Sequence, residues 1–264
     1  MFHVSKIDKN INLRHLYLAL RTFLLYLKLL IINQFKMKKT LLFFSLLISS
    51  SLFSQNVYWY DVLLEVDSKD NSTVTNLVDD FYSNHNKSNE VTVEFSSIPL
   101  KGASENATHI ISISSRSSKS LADFRNSLKG KAWDLYISKM NNYVKKARSA
   151  AGKDLYSVGS YNDQPIGQAW VFKVENYNLN TFVTAFTKLV NSIKFGGSVG
   201  VGQIIHGTDN GETVYIYGTY SDLDSAFSFG PKNDGEAKAF SEFSKAIKGS
   251  EYSKTFTRVL INRY

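Results

Sequence analysis

Few residues in this chain have the types and spacing to do chemistry. Three histidines follow residue 54: His85, His109 and His206. Imidazole changes charge near neutrality and binds metals readily, so each deserves a role test. His109 opens one strand-like run and His206 closes another. Each is therefore placed to reach a cavity as a base or a ligand, and these two are the catalytic candidates. A histidine satisfied by a hydrogen bond at a strand end is the simpler account of both. A metal site needs further ligands at set spacing, and neither H-x-H nor H-E-x-x-H occurs, so no metal is expected. Asp79 and Asp80 face away from the Leu77/Phe81 stripe and read as a solvated helix face.

Other patterns fail on context. The run Gly196-Gly197-Ser198-Val199-Gly200-Val201-Gly202 suggests a phosphate loop, but these glycines follow a helical stretch and enter a strand, the reverse of a dinucleotide site. A helix end followed by a bulged strand covers them. Asp222-Leu223-Asp224 lacks the remaining oxygen ligands of a calcium loop and reads as a turn or helix start. No G-x-S-x-G is present to build a nucleophile elbow. Aromatic residues remain: Tyr58, Tyr60, Trp170, Phe172, Tyr215 and Tyr217 are candidates to line an apolar ligand cavity, with core packing as the plainer reading.

Positioning falls to two stretches of similar order. In the first, Val57–Val66 alternates as a strand with Tyr58, Tyr60, Val62, Leu64 and Val66 on one face. Val74, Leu77, Val78, Phe81 and Tyr82 follow helical spacing. Strands are expected at Val91–Phe95 and His109–Ser114, a helix after Ser120 running to Val144, and a strand at Lys153–Tyr161. In the second, Ala169–Val174 is a strand, and Phe182, Val183, Phe186, Leu189, Val190 and Ile193 make a helical stripe. Strands at Ser198–Ile205 and Thr213–Tyr217, a helix over Gly235–Lys248 and a strand at Thr255–Tyr264 complete it. The order is β-α-β-β-α-β twice, with boundaries near 55–161 and 162–264.

Residues 1–54 have a different composition. Met37-Lys38-Lys39, the apolar run Thr40–Phe53 and small residues before Ser54/Gln55 have the make-up of a signal peptide, placing the product in the secreted or periplasmic space after cleavage there. Residues 1–36 then read as a mis-called extension ahead of a start at Met37. The run Thr40–Phe53 is shorter than the roughly 20 apolar residues that span a bilayer, so no stable span is expected after cleavage. These 54 residues hold eight of the 31 Lys and Arg and one of the 23 Asp and Glu, leaving 23 basic against 22 acidic side chains. Of the net charge of +8, +7 therefore belongs to these 54 residues, and nucleic-acid binding loses its support. The absence of cysteine excludes disulfides, thiolate nucleophiles and a lipid-anchored N-terminal cysteine.

The doubled β-α-β-β-α-β order is the split βαβ, ferredoxin-like arrangement. Over residues 57–264 the chain resembles the dimeric α+β barrel superfamily of antibiotic-biosynthesis monooxygenase-like and stress-responsive barrel proteins, here as a tandem of two units. The resemblance implies an α+β fold in which two antiparallel sheets pack as a barrel-like pair, with a cavity between sheet and helices. Because no residue motif accompanies it, the expectation is a non-catalytic module binding a small apolar ligand or a protein partner, without a cofactor. Two alternatives accompany it. One is an oxygenase-like or haem-associated enzyme using His109 or His206; the other is a self-associating structural module, with homo-oligomers left open.

Overall fold

The computed structural model describes residues 57–159, 164–208 and 210–264. The leader and extension inferred for residues 1–54 lie outside the described residues. Among the described residues eight strands and six α-helices follow one another as β1 (Tyr58–Val66), α1 (Asn71–Asn84), β2 (Val91–Lys101), β3 (His109–Ser115), α2 (Ser118–Ser127), α3 (Lys131–Met140), β4 (Val144–Val158), β5 (Ile166–Lys173), α4 (Leu179–Val190), β6 (Val199–His206), β7 (Val214–Tyr220), α5 (Leu223–Phe227), α6 (Asp234–Ala246) and β8 (Glu251–Arg263). Among the described residues no helix is long and apolar enough to cross a membrane.

The strands close into one antiparallel barrel in the order β1-β3-β2-β8-β5-β7-β6-β4, with β4 returning to β1. Closure removes the sheet edges that would otherwise present unpaired backbone groups. Period-two alternation then gives every strand an outer face under the helices and an inner face toward the barrel axis. The outer faces carry the apolar sets. Leu64, Val66, Val91, Val93, Phe95, Ile111 and Ile113 pack against Val74, Val78 and Tyr82 of α1 and Tyr136 and Met140 of α3. On the other side Phe172, Val199, Val201, Val214 and Ile216 pack against Phe182, Phe186 and Val190 of α4. Helix spacing explains the fit: Val74, Val78 and Tyr82 recur every four residues and all three are buried.

Local chemistry sets several element ends. The Ser117 hydroxyl accepts from the Ser120 amide at 3.1 Å to start α2. Asp222 and Asn233 accept from Ser225 and Glu236 at 2.7 and 3.0 Å to start α5 and α6. Asp222 is thus a helix cap.

Two expectations are corrected. The single helix expected after Ser120 is two helices, broken where Gly130 adopts a positive φ of 85° that side-chain-bearing residues rarely adopt. Its expected last turn at Val144 is instead the first residue of β4, which runs fifteen residues rather than beginning at Lys153. Val144 pairs with Val66, and β4 continues through Lys153 opposite Tyr58. Strand pairing along β1 outweighs the local helical pattern of Tyr136, Met140 and Val144.

Candidate functional site

An eight-stranded barrel is just wide enough for side chains to fill it or for one small ligand to occupy it. Here the inner wall is polar and aromatic. On β1 the residues alternating with the helix-facing tyrosines are Trp59, Asp61 and Leu63. Asp61 lies in register with Ser112 of β3, and Ser112 with Glu94 of β2. Arg258 reaches from β8, donating to Ser112 Oγ at 2.9 Å and standing 3.5 Å from Glu94. Arg263 holds the other Glu94 oxygen at 2.8 Å. Gly167 on β5 leaves the room: a Cβ there would lie 2.6 Å from Arg258 Nε.

Asp61 is the chemically distinctive member. Burial pushes its carboxyl up from 3.8 to about 6; the Arg258 charge and a hydrogen bond from Ser112 oppose the rise, and Glu94 adds to it. As a whole residue Asp61 is half-buried, as are Trp59, Leu63, Tyr215, Tyr217 and Arg258. These residues line a wall of the barrel that keeps some accessible surface. A carboxylate poised near neutrality on such a wall has the properties of a general base.

A second inner cluster centres on Asp154. Trp59 Nε1 donates to Tyr215 Oη at 2.6 Å, Tyr215 donates to one Asp154 oxygen, and Tyr217 donates to the other at 3.1 Å. Burial raises Asp154 to about 6 despite these two donors. Burial and the Asp154 charge keep Tyr215 protonated well above its ordinary range. A shift in register between Asp154 and Tyr156 turns Asp154 inward while Tyr156 packs with the outer apolar cluster.

One end of the barrel carries a cationic and acidic strap. Glu105, in the β2–β3 loop, pairs with Arg148 and lies 3.4 Å from Lys254. Lys254 also stands 4.0 Å from Glu212 of the β6–β7 loop. Burial works against the Glu105 charge, but the Ala107 amide, Arg148 and Lys254 hold its carboxyl below the usual value.

The residues singled out from the sequence are divided by this geometry. Tyr215 and Tyr217 face the interior. Tyr60 lies in the outer cluster under Arg125, whose guanidinium sits 5.8 Å from the ring, and Tyr58 shares its face by alternation. Trp170 and Phe172 belong to the opposite outer cluster, Trp170 against Phe229 and Phe172 against Phe182. His109 is buried on the outer face, stacked on Phe95 at 5.3 Å and bonded through Nδ1 to Thr108 at 3.0 Å. Burial, with Lys101 nearby, lowers its pKa and keeps it neutral. His206 is exposed at the end of β6. A haem ligand must present an imidazole nitrogen to an open interior space; these placements do not suit that role. Among the described residues no three His, Cys, Asp or Glu gather as a metal site.

Asp61, Glu94 and Asp154 were not anticipated. The signal was there: an acid at the centre of the apolar run Val57–Val66 on the face opposite the tyrosines, and another within Val91–Phe95. Glycines on one face of β6 were a further sign.

No protein-family profile matches the chain, and no curated protein resembles it at a significant level. Solved structures do share the fold. One is an anthrone oxidase-like protein, 9% identical, with a TM-score of 0.55 over 80% of this chain and 93% of that one. A candidate monooxygenase from Fusobacterium nucleatum is 15% identical with a TM-score of 0.54, over 79% and 93%. Another from Lactobacillus acidophilus is 13% identical with a TM-score of 0.50, over 79% and 94%. The chain therefore shares the α+β barrel fold of these structures. These likenesses overturn the expectation of a non-catalytic module for an apolar ligand or protein partner: the structures sharing the fold are described as oxidase-like or as monooxygenases. The geometry agrees with the correction, because most of the aromatics assigned to an apolar cavity are core residues and the barrel interior is charged.

Proposed function

We propose that this chain is an oxygenase-like enzyme whose reaction chamber is the barrel interior, with Asp61 as the general base. The observation that carries the reading is Asp61 itself, a carboxylate raised to about 6 on a wall that keeps accessible surface. It removes a proton from a small, flat aromatic substrate bearing an acidified C–H, and the resulting carbanion is the species that dioxygen attacks. Protonation of Asp61 cancels its charge, and the Arg258 guanidinium, which keeps Glu94 as a partner, then faces the substrate anion. Trp59 and the ring of Tyr215, edge to face at 5.3 Å, offer an aromatic wall for such a substrate. Anthrone, named for one protein of the same fold, fits this description: its methylene is acidified by two flanking rings and the conjugated carbonyl. Overall, a methylene and dioxygen give a ketone and water.

The same reading takes the barrel as two ferredoxin-like β-α-β-β-α-β repeats, residues 55–161 and 162–264, fused edge to edge. It is supported by the strand orders β4-β1-β3-β2 and β8-β5-β7-β6, which repeat one pattern. The experiment is dioxygen uptake by the purified protein with anthrone, read against the spontaneous rate. Asp61→Asn is expected to lower the catalysed rate by about 10²–10⁴-fold, the usual range for a general base. Uptake no faster than the spontaneous rate, or an Asp61→Asn variant as fast as the parent, refutes the reading.

A further inference from the structure

The Asp154 cluster has no part in the deprotonation assigned to Asp61, yet it is built with care. Three rings lie over three glycines on the inner wall. A Cβ on Gly152 would meet Trp59 Cζ2 at 2.5 Å, one on Gly200 would meet Tyr217 Cε1 at 2.5 Å, and one on Gly202 would run into the Tyr215 hydroxyl. At Gly200 and Gly202 the missing side chain leaves the space that the ring takes, and at Gly152 it makes way for the Gln203 carbonyl as well as for the Trp59 ring. The hydrogen bonds run in one direction, Trp59 N–H to Tyr215 oxygen and Tyr215 O–H to Asp154, with Tyr217 on the second carboxylate oxygen. Tyr215 and Tyr217 stack with centroids 6.2 Å apart.

We infer that Tyr215 is a one-electron donor site, with Asp154 as the acceptor of its phenolic proton. The oxidant it meets is of the peroxyl-radical class. In the step, a peroxyl radical takes one electron and becomes the peroxide anion. Tyr215 loses that electron and its hydroxyl proton and becomes a neutral phenoxyl radical; the Asp154 carboxylate takes the proton and becomes a carboxylic acid. One O–H bond breaks and one forms, and charge is conserved. Phenol oxidation is difficult while the proton stays in place, because a phenol radical cation is a very strong acid. An existing hydrogen bond to a carboxylate removes that obstacle with no rearrangement. Burial makes Asp154 a better proton acceptor than an exposed aspartate, since its charged form is disfavoured. The Trp59 N–H remains on the phenoxyl oxygen and stabilises it.

The peroxyl radical rests on the oxygenase reading, but the test of the donor site does not, because it needs no substrate. The full-length protein is oxidised by photogenerated tris(bipyridine)ruthenium(III), and the radical is followed by electron paramagnetic resonance and transient absorption. A tyrosyl radical is expected that forms more slowly in D2O, because its proton moves with the electron. Tyr215→Phe should remove most of the signal. Asp154→Asn should slow its formation about tenfold, the factor carried by one charge-assisted hydrogen bond. Trp59→Phe should shift the g-tensor, which reports donors to the radical oxygen. A Tyr215→Phe variant with the parent's radical yield overturns the assignment. So does radical formation at the same rate in H2O and D2O, a measurement that needs no variant to fold.

Discussion

Replacing Asp61 by Asn should make the protein more stable and less active, and the gain should depend on pH in a defined way. A rise from 3.8 to about 6 is roughly two units, and at about 1.4 kcal/mol per unit the charged carboxylate costs the fold on the order of 3 kcal/mol. The attraction of Arg258 is already contained in that net shift, and Arg258 keeps Glu94 as a partner when Asp61 loses its charge. Because the folded state binds this proton more tightly than the unfolded chain, the cost is absent below about pH 4. It grows between about pH 4 and 6 and is complete above that. Asn reproduces the neutral acid in shape, so urea unfolding followed by tryptophan fluorescence should place Asp61→Asn about 3 kcal/mol above the parent at pH 8. At pH 4 the two should nearly coincide. For a domain of this size the gap at pH 8 corresponds to a Tm higher by roughly 6–12 °C. Stability lost at pH 8, or a difference equal at both pH values, would show that Asp61 is an ordinary structural partner of Arg258 and sink the argument that its perturbed state serves chemistry.

Gly202→Ala should destabilise the barrel by about 1–3 kcal/mol, the range for forced overpacking, because its methyl group collides with the Tyr215 hydroxyl. Pairing it with Tyr215→Ala, which removes the hydroxyl and the ring carbons that the methyl would meet, should cost less than the sum of the two single losses in denaturant titrations; strict additivity would refute the contact. Glu105→Gln should cost about 3–5 kcal/mol at pH 7, since it leaves Arg148 and Lys254 facing a neutral group at a buried position. With a carboxyl held below its usual value, the parent's advantage should be full at neutral pH and fade as the pH falls through the acid range of Glu105. Calorimetry that shows the same gap at pH 3 and pH 7 would contradict it.

Much of the architecture was legible in the chain, because alternation and helical spacing are local. The run around Tyr58–Val66, the stripe Val74/Val78/Tyr82 and the stripe Phe182/Phe186/Val190 all appear where spacing places them. The long β4 did not, because its early half is polar and weakly alternating, and its pairing with β1 comes from a strand distant in sequence, as in Val66 with Val144. The site was less legible. His109 and His206 attracted notice through residue type, but one packs on Phe95 and the other stands at an exposed strand end.

Sequence by itself determined which residues share a face: Tyr58 with Tyr60, Trp59 with Asp61, Gly200 with Gly202, Tyr215 with Tyr217. Period-two geometry allows nothing else. It could not determine which face looks inward, because a strand with tyrosines on one side and Trp59 and Asp61 on the other has two chemically plausible insides. Closure of eight strands decided that. It gave the helices the more apolar face of each strand and enclosed Asp61 and Asp154, and burial there moves these two carboxylates toward neutrality. The partners that tune them, Arg258 for Asp61 and Tyr215 for Asp154, come from strands distant in sequence, and contacts across a barrel leave no trace in local spacing.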